Sequence, residues 1–504
     1  MKRSFPINFL LIMFFTLLGM AVMGYHPSLE DDGIYLTAVK SRLNPALYPH
    51  NADFFRLQMQ ASLFDKCVAG FVHLTAIPLA ATELLWQFLS IALILFACWT
   101  IARKLFPEAR AQWAGVALVT AMFTLPVAGT ALYLVDQHLH PRAMATGIIL
   151  LAVSRIMQNE KWQAAPLLLL ALLLHPLMAV MGVSFCVFLS VALLEPVHEW
   201  VQVWREAEHG SVAASFVPLG WIFMASTPAW QANLQAHSYM FFDRWEWYEC
   251  LGAVAPLFLF WLLWWFARKR GENLLARFAL AVILYGVFQL AAAMVLLNSP
   301  RLIRLVPLQP MRFLHLMYFF LMLVAGCLLG KYLLKKSVWR WAIFLVTINA
   351  GMLAAQRMQF TGSEHLELLG RNSANPWLEA FTWIRQNTPT DAYFALDPEY
   401  LAVPGEDYHS FRALAERSQL ADNIKDAAVV TLVPELGEVW AQQVKAQGCD
   451  PVSRRCAGWN RFQLADFEQL KTEFGVDWVL VSYPAPAGLG CPWHNDVLAV
   501  CRIP

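Results

Sequence analysis

Apolar runs of membrane-spanning length recur along most of this 504-residue chain and limit the folds that it can adopt. The chain is 58% hydrophobic and only 14% charged, which places it outside the soluble globular class. Its 21 Trp and 34 Phe are typical of a protein with extensive lipid interfaces. The candidate spans are eleven, at residues 5–24, 83–102, 113–133, 142–156, 163–175, 177–195, 212–227, 250–267, 274–297, 313–330 and 338–356. Several fall short of the roughly 20 residues that a spanning helix needs.

Basic residues occur in alternate connections between these spans, and this pattern predicts the orientation of the chain. Loops rich in Lys and Arg favour the cytoplasmic side of a membrane. The basic connections hold Lys2, Arg3, Arg103, Lys104, Arg155, Lys161, Arg205, Arg268, Lys269, Arg270, Lys331, Lys335 and Lys336. The N-terminus is therefore predicted to be cytoplasmic, and an odd number of spans places the C-terminus outside. The first run also resembles a signal peptide, but it is long enough to span and no clear A-x-A site follows, so an uncleaved helix is expected.

Two regions follow from this organisation. Residues 1–357 are predicted to form a transmembrane domain with a long first external loop at 25–82, and residues 358–504, which hold no span, an external α/β domain. Amphipathic helices are expected at Thr37–Leu47 and Phe54–Val72 in the loop, and at Glu195–Glu208 on the cytoplasmic side. In the tail we predict helices at Asn375–Asn387, Leu436–Ala446 and Leu464–Phe474, and strands at Tyr393–Leu396, Val429–Val433 and Trp478–Val481.

Cysteine positions agree with an external tail. Five of the nine cysteines are scattered through the membrane part, where a small apolar residue is the ordinary interpretation. The other four lie in the tail, where an even number suits disulfides. Local pairing, Cys449 with Cys456 and Cys491 with Cys501, is the simplest of the three connectivities.

The first candidate site is the acidic start of EDDGIYLTAVK, just after the first span. Carboxylates at a membrane border are costly to bury and mark chemistry by default. Asp31 and Asp32 are candidates for a general base or for ligands of a divalent metal. A solvated acidic loop is the alternative.

A second polar cluster lies in YLVDQHLHPRAM, after the third span. Its members are Asp136, His138, His140 and Arg142. One carboxylate with two imidazoles suits a metal, and Arg142 suits a phosphate. A polar interfacial cap with a snorkelling arginine is the alternative. If a metal is bound, Mg²⁺ or Mn²⁺ held by Asp31 and Asp136 is the expectation.

External arginines form the third cluster, at Arg301, Arg304 and Arg312. They run against the orientation bias, and a lipid-linked phosphate would explain them, because guanidinium binds phosphate in a bidentate manner. Arg312 is the leading candidate because Gln309 and His315 lie near it. Ordinary pairing with lipid headgroups is the alternative.

The remaining polar positions are weaker candidates. The aromatic segment HSYMFFDRWEWYE suits either sugar stacking or an interfacial belt, and it contains His237, Asp243, Arg244 and Glu246. His175 is interpreted as a helix-end residue, and His409, Arg412 and Arg417 as surface charges of the tail.

Together these motifs resemble the GT-C superfamily of polytopic membrane glycosyltransferases. The family's acid pair, often D-E-x-x-Y, is matched by Asp31-Asp32-Gly33-Ile34-Tyr35, its second polar cluster by Asp136–Arg142, and its late arginine by Arg312 of LQPMR. The opening of the tail, WLEAFTWIRQNTPTDAYF, is similar to the start of many GT-C periplasmic domains. The chain departs from oligosaccharyltransferases in lacking W-W-D-Y-G, and Asp32 replaces the commoner Glu.

The resemblance implies an eleven-span protein of the bacterial inner membrane. It implies transfer of a sugar from an undecaprenyl- or dolichyl-type phosphate donor to a glycan, lipid or protein acceptor, with Asp31 as base and Arg312 on the phosphate. No nucleic-acid partner is expected at a net charge of +1. Two alternatives remain, a non-catalytic relative that binds or moves lipid-linked glycans and a secondary transporter. A transporter would show internal repeats and mid-membrane polar residues, which the sequence does not display.

Overall fold

The computed structural model describes residues 5–194, 227–361, 364–368, 375–398 and 409–504, and it is mostly helical. Up to the end of the last long apolar helix, the α-helices of the described residues are α1 (Phe5–Met23), α2 (Tyr35–Leu43), α3 (Asp53–Met59), α4 (Phe64–Thr75), α5 (Leu79–Leu105), α6 (Ala109–Ala121), α7 (Pro141–Ile156), α8 (Lys161–Leu174), α9 (Pro176–Leu193), α10 (Pro228–Ala236), α11 (Trp247–Lys269), α12 (Asn273–Asn298), α13 (Phe313–Leu328) and α14 (Val338–Gln359).

Membrane-spanning character is evident in seven segments of the described residues, by length and composition. They are Pro6–Met23, Leu79–Leu105, Pro176–Leu193, Trp247–Lys269, Asn273–Asn298, Pro300–Leu334 and Val338–Gln359. Helices α6, α7 and α8 occupy three further predicted spans but contain only 13, 16 and 14 residues. The predicted span 212–227 and the predicted helix Glu195–Glu208 lie outside the described residues, apart from Thr227. The chain is therefore a polytopic helical membrane protein, and the count of eleven spans stays a prediction.

The third predicted span was too long. Helix α6 ends at Ala121, and the chain continues to His140 as irregular structure in which Pro126 and Tyr133 form an isolated backbone bridge. Proline cannot continue a helix ladder, because it lacks an N–H and restricts the preceding residue. The segment that carries the second polar cluster is therefore a packed loop.

Close packing between α6 and α13 depends on small residues. A Cβ atom on Gly326 would lie 2.5 Å from the carbonyl oxygen of Ala114, and one on Gly115 would lie 2.6 Å from Cys327 Sγ. Small residues allow helix backbones to approach in membranes. This contact fixes the position of α13, and with it that of Arg312 at its N-terminus.

The first loop contains three helices where two were predicted. Helix α2 confirms the first prediction within a few residues, whereas the second helix is divided into α3 and α4. The break docks on the end of α8, because the Leu63 N–H donates to Leu173 O at 2.8 Å and the Ser62 hydroxyl donates to Leu174 O at 2.7 Å. These bonds satisfy carbonyls that the end of a helix leaves open.

The tail contains a five-stranded sheet with the order β2-β1-β3-β5-β4. Strand β1 is parallel to β2 and β3, and β5 is antiparallel to β3 and β4. The strands are β1 (Tyr393–Leu396), β2 (Ser418–Gln419), β3 (Trp478–Ser482), β4 (Gly490–His494) and β5 (Leu498–Arg502). The described helices of the tail are α15 (Pro376–Asn387), α16 (Phe411–Ala415), α17 (Lys425–Leu432), α18 (Gly437–Ala446) and α19 (Leu464–Phe474).

Most tail predictions are confirmed. Helices α15, α18 and α19 and strands β1 and β3 match them, and Asn375 Oδ1 caps α15 by accepting the Trp377 N–H at 2.9 Å. Both local disulfides are confirmed as well. The predicted strand Val429–Val433 was wrong, since its residues lie mainly in α17. Asp422 caps the first turn of this helix, because its Oδ1 accepts the N–H groups of Lys425 at 2.5 Å and of Asp426 at 3.2 Å.

Three tail residues predicted as surface charges are in fact buried, namely His409, Arg412 and Arg417. The guanidinium of Arg412 donates to both carboxylate oxygens of Asp426, at 2.6 and 2.8 Å. Arg417 donates to the carbonyl oxygen of Thr388 at 2.7 Å. Thr388 follows the last residue of α15, so this bond satisfies a carbonyl at the end of the helix. These two arginines have a structural role, because their buried N–H groups are satisfied by carboxylate and backbone oxygens instead of water.

The tail packs directly on the first loop. Tyr48 donates to Arg412 O at 2.9 Å, Lys40 donates to Glu416 Oε1 at 2.7 Å, and the Ser410 N–H donates to Ser28 O at 2.7 Å. The two segments therefore form one layer on the side of the helices where α1 ends and α14 ends.

Candidate functional site

A cavity of about 530 Å³ opens in this layer, where connections from distant parts of the chain meet. Its charged and imidazole side chains are Glu30, Asp31, His140, Arg142, His175, His237, Arg312, Lys425 and Arg454. Arg142 and His175 are terminal residues of predicted spans, at ends that the charge pattern predicts to be external, and the others belong to connections or tail segments predicted to be external. The three predicted polar clusters each contribute a member to it.

Asp31 is the acid that reaches the cavity. It lies in a short 3₁₀ turn, Glu30–Gly33, and about a third of its side chain is exposed. Burial raises the pKa of this carboxyl, but the nearby Lys425 and His140 outweigh burial and hold the pKa well below its usual value. Asp31 Oδ2 lies 3.3 Å from His140 Nε2, and Asp31 Oδ1 lies 3.7 Å from Lys425 Nζ. Asp31 is therefore an ionised acceptor at neutral pH.

Asp32 has the opposite environment and does not line the cavity. It is 2% exposed, and its Oδ2 accepts the Ser28 N–H at 2.7 Å. Burial and the neighbouring Glu83 raise the pKa of Asp32 well above its usual value. The pKa values of two adjacent carboxyls are thus shifted in opposite directions, and no local sequence pattern indicates this difference.

The second cluster is held by an ion pair. The guanidinium of Arg142 donates to both oxygens of Asp136, at 3.1 and 2.5 Å, and both residues are buried. Burial raises the pKa of Asp136, but Arg142, His140 and His138 outweigh burial and hold the pKa well below its usual value. Arg142 lines the cavity, whereas Asp136 stands behind it. The pair therefore fixes the Arg142 guanidinium at the cavity wall.

His138 is not part of the cavity wall. It is buried, and its Nε2 has no hydrogen-bond partner among the described residues. Burial lowers the pKa of His138 to about 4, so that the imidazole is neutral at physiological pH.

These donors do not suit the predicted divalent metal at Asp31 and Asp136. Both Asp136 oxygens already accept hydrogen bonds from Arg142, and Asp31 is paired with Lys425. Within the described part of the chain, no three His, Cys, Asp or Glu side chains are grouped so that they could hold a metal ion. The side chains that line this cavity are mainly cations and hydrogen-bond donors, which suit an anion, and the metal stays a prediction.

Arg312 is the arginine of the third cluster that reaches the cavity. It ends a 3₁₀ turn, Pro310–Arg312, which follows Gln309 in a left-handed conformation with φ 48°. Arg312 Nε is buried and has no hydrogen-bond partner in the described regions. Arg301 lies outside the lining, and the guanidinium of Arg304 packs over the Trp230 ring at 5.5 Å. An arginine with an unmet donor beside a cavity is suited to bind an anion.

Of the four polar candidates in the predicted sugar-binding segment, only His237 lines the cavity, where the aromatic Tyr239 of the same segment lies as well. Its Nδ1 lies 2.8 Å from Asn233 O, while its Nε2 is buried without a partner among the described residues. Burial, assisted by Arg454, lowers the pKa of His237 to about 4. Asp243 and Arg244 lie outside the lining, where Arg244 bonds Gln235, and Glu246 instead caps α11.

Three cavity residues were missed or given a minor role by the sequence analysis. Lys425 and Arg454 come from the tail, where neither belongs to a motif, and His175 was interpreted as a helix end. The alternation of His-Pro with long apolar runs at residues 140 and 175 was a signal that could have linked the two histidines.

Comparison with known proteins gives similarity in structure but none in sequence. No protein-family model matches the chain, and no curated protein matches it in sequence. Among solved structures, it matches the archaeal oligosaccharyltransferase AglB from Archaeoglobus fulgidus, in complex with an inhibitory peptide and a dolichol-phosphate, with a TM-score of 0.44 and 12% identity. The match covers 95% of this chain and 70% of that one. A similarity this distant does not by itself assign an activity, so the chemistry has to be derived from the residues of the cavity.

Proposed function

We propose that this chain is a membrane glycosyltransferase that moves a sugar from a polyprenyl-phosphate-linked donor to an acceptor. The observation that carries the proposal is the pairing, in one cavity, of an ionised carboxylate with a guanidinium that has an unmet donor. Asp31 supplies the first and Arg312 the second. The resemblance of the D-D-x-x-Y and LQPMR motifs to GT-C enzymes points in the same direction.

The reaction is a displacement at the anomeric carbon of the sugar. Asp31 accepts the proton of the attacking hydroxyl or amine as the new bond to carbon forms. The bond between that carbon and the phosphate oxygen breaks, and its electron pair leaves with the polyprenyl phosphate. Arg312 lies where it can stabilise the negative charge on the departing phosphate.

Charge in the cavity favours an anionic donor. Four cationic side chains line it, namely Arg142, Arg312, Lys425 and Arg454, against the carboxylates of Glu30 and Asp31. Arg142 is paired with Asp136, and Lys425 lies 3.0 Å from Glu30. The remaining positive charge is that of Arg312 and Arg454, and clefts of one sign attract ligands of the other.

A lipid-linked substrate also agrees with the apolar surface beside the cavity. Leu174 and Leu177 line it, while Leu172, Leu173 and Val180 on the same two helices are exposed. Exposed apolar side chains on a membrane helix face lipid tails. The junction of α8 and α9 is therefore a suitable place for a polyprenyl chain to lie against the protein with its phosphate in the cavity.

The site is proposed to face outward from a bacterial inner membrane, with the N-terminus cytoplasmic and the C-terminus periplasmic. The positive-inside pattern supports this orientation. The two disulfides of the tail also support it, because such bonds persist in oxidising compartments. The acceptor is a glycan, a lipid or a protein.

The test is transfer by purified protein in proteoliposomes that contain undecaprenyl-phosphate-linked sugars. Release of undecaprenyl phosphate is followed by mass spectrometry for the wild type, Asp31→Asn and the control Glu30→Gln. Loss of a general base lowers the rate about 10²- to 10⁴-fold, so Asp31→Asn is expected to be nearly inactive while Glu30→Gln stays active.

Full activity of Asp31→Asn would remove the base from this residue. A wild type that binds the lipid-linked sugars but never releases undecaprenyl phosphate would instead indicate a non-catalytic glycan-binding protein.

A further inference from the structure

Two histidines of the cavity wall occupy the same structural position. His140 and His175 are the N-cap residues of α7 and α9, and each is followed by a proline at the first helical position. His140 Nδ1 accepts the Arg142 N–H at 2.9 Å, and His175 Nδ1 accepts the Met178 N–H at 3.3 Å. The two ring centroids are 5.9 Å apart.

The caps determine where each imidazole carries its proton. A ring nitrogen that accepts a backbone N–H has no proton, so the proton of the neutral ring resides on Nε2. Protonation of the ring would require a second proton on Nδ1, and this would break the cap. It would also place a cation at the positive end of a helix dipole. Each ring is therefore a neutral Nε2–H donor.

The surroundings of His140 keep that state. Burial and then the adjacent Arg142 charge lower the pKa of His140, although Asp136 and Asp31 oppose them. His140 is 1% exposed, and no contact of its Nε2 with a described residue, that with Asp31 included, has full hydrogen-bond geometry. Asp31 Oδ2 lies 3.3 Å away, which shows that the atom faces the acid of the site.

His237 is the opposite case on the same cavity. Its Nδ1 lies 2.8 Å from a carbonyl oxygen, that of Asn233, so the ring proton resides on Nδ1 and Nε2 is an acceptor. A histidine of this tautomer suits a substrate hydroxyl and is a poor partner for a phosphate oxygen.

Helix ends add to the donors at the cavity. The N-caps of three helices longer than fifteen residues line it, His140 for α7, His175 for α9 and Arg312 for α13. The first turn of a helix carries partial positive charge and open N–H groups, which favour anions. The buried Nε2 of His140, for which the described residues provide no acceptor in full hydrogen-bond geometry, is an independent indication that a ligand completes this wall.

We propose that His140 and His175 act as a pair of neutral Nε2–H donors that bind the phosphoryl oxygens of the lipid-linked donor. The inference rests on the proposed function and specifies how the phosphate is held. Because both imidazoles are uncharged, they can donate hydrogen bonds to a phosphate without repelling the Arg312 cation. They also carry no extra proton that could pass to the acceptor.

Asparagine and glutamine separate the capping role from the donor role. In His175→Asn the amide oxygen replaces Nδ1, so the cap remains but the Nε2–H is lost. In His175→Gln the amide nitrogen reaches the position of Nε2, so the donor remains but the cap is lost. The same pair of substitutions applies to His140, and His73→Asn, on an exposed part of α4, is the control.

Binding of undecaprenyl phosphate to the full-length protein in nanodiscs is the measurement, together with the melting temperature. The Asn variants are expected to melt near the wild-type temperature and to bind about 10- to 100-fold more weakly, as expected for loss of a hydrogen bond to a charged group. The Gln variants are expected to melt lower and to bind more tightly than the Asn variants. Asn variants that bind like wild type would overturn the inference.

The outcomes distinguish this inference from the proposed function. If wild-type protein does not bind undecaprenyl phosphate, both fall. If it binds but the Asn variants bind equally well, only the donor pair is wrong. Nitrogen-15 NMR of histidine-labelled protein gives a direct check, since the resonances lost in His140→Asn and His175→Asn should report Nε2–H rings at pH 7. Nδ1–H or doubly protonated rings would contradict the inference.

Discussion

Lys425 Nζ lies 3.7 Å from Asp31 Oδ1, so the tail places a positive charge beside the acid of the candidate site. The lysine is in the first turn of α17, which Asp422 caps. The buried Arg412–Asp426 pair anchors the same turn. The tail is thus part of the site, and its packing on the first loop determines the environment of Asp31.

Removing this lysine is expected to shift the acid limb of the pH–rate profile. The positive charge of Lys425 lowers the pKa of Asp31, so its loss raises that pKa. A base with a higher pKa becomes protonated at higher pH, and the acid limb of kcat/KM in Lys425→Gln therefore moves to higher pH. The measurement is the rate of undecaprenyl phosphate release between pH 4 and 9. Lys66→Gln, in the exposed first loop, is the control, and an unmoved limb in Lys425→Gln would show that Asp31 is not the titrating base.

Arg312→Lys is expected to weaken binding of the lipid-linked sugar, because it keeps the charge but loses the planar, bidentate guanidinium. The KM for the lipid-linked sugar should rise about tenfold, with a smaller change in kcat, since one of two parallel hydrogen bonds to phosphate is lost. Arg304→Lys is the matched control, because Arg304 packs on Trp230 and does not line the cavity. Equal effects of the two substitutions would mean that general surface charge attracts the donor.

The sequence predicted several of the residues that line the cavity, but it did not predict how the cavity shifts their pKa values. Apolar runs and basic loops predicted that Asp31, His140 and Arg312 lie on the same side of the membrane, because both patterns are local in sequence and report the topology of the chain. The difference between the pKa shifts of Asp31 and Asp32 arises because Asp31 contacts Lys425, whereas Asp32 is buried near the charge of Glu83. These contacts join residues far apart in the chain, and no local pattern contains them.

Burial in the tail was hidden for a similar reason. Arg412 and Arg417 look like surface residues in sequence, because their partners are backbone carbonyls and one distant acid. The strand predicted at Val429–Val433 failed because a short apolar run fits a buried strand and a buried helix equally well, and the Asp422 cap decides between them.

Reporter fusions test the predicted orientation. Alkaline phosphatase is active only outside the cytoplasm, so a fusion after Gln359, at the end of α14, is expected to be active. A fusion after Gly271, in the basic connection between α11 and α12, is expected to be inactive and serves as the control. An inactive but stably expressed fusion at Gln359 would place the cavity in the cytoplasm, and the proposed function would fail with it.

Glu367 joins the first loop to the tail and should make that junction sensitive to acid. His26 Nδ1 lies 2.9 Å from Glu367 Oε1, and His409 Nε2 lies 2.6 Å from Glu367 Oε2. Burial raises the pKa of Glu367, but these two hydrogen bonds outweigh it and lower the pKa below its usual value. A carboxyl whose pKa is lower in the folded state stabilises the fold above its unfolded pKa, about 4.3, and this contribution disappears as pH falls through the folded pKa.

Glu367→Gln is therefore expected to lower the free energy of unfolding at pH 7 by about 1.5–3 kcal/mol, the range for a hydrogen bond to a charged group. The gap in melting temperature between wild type and variant should narrow below about pH 4, where the wild-type carboxyl takes up its proton. Tryptophan fluorescence melts between pH 3 and 8 provide the measurement, and Glu468→Gln, on the exposed face of α19, is the control. A gap that is constant across this range would mean that the charge of Glu367 does not hold the loop and the tail together.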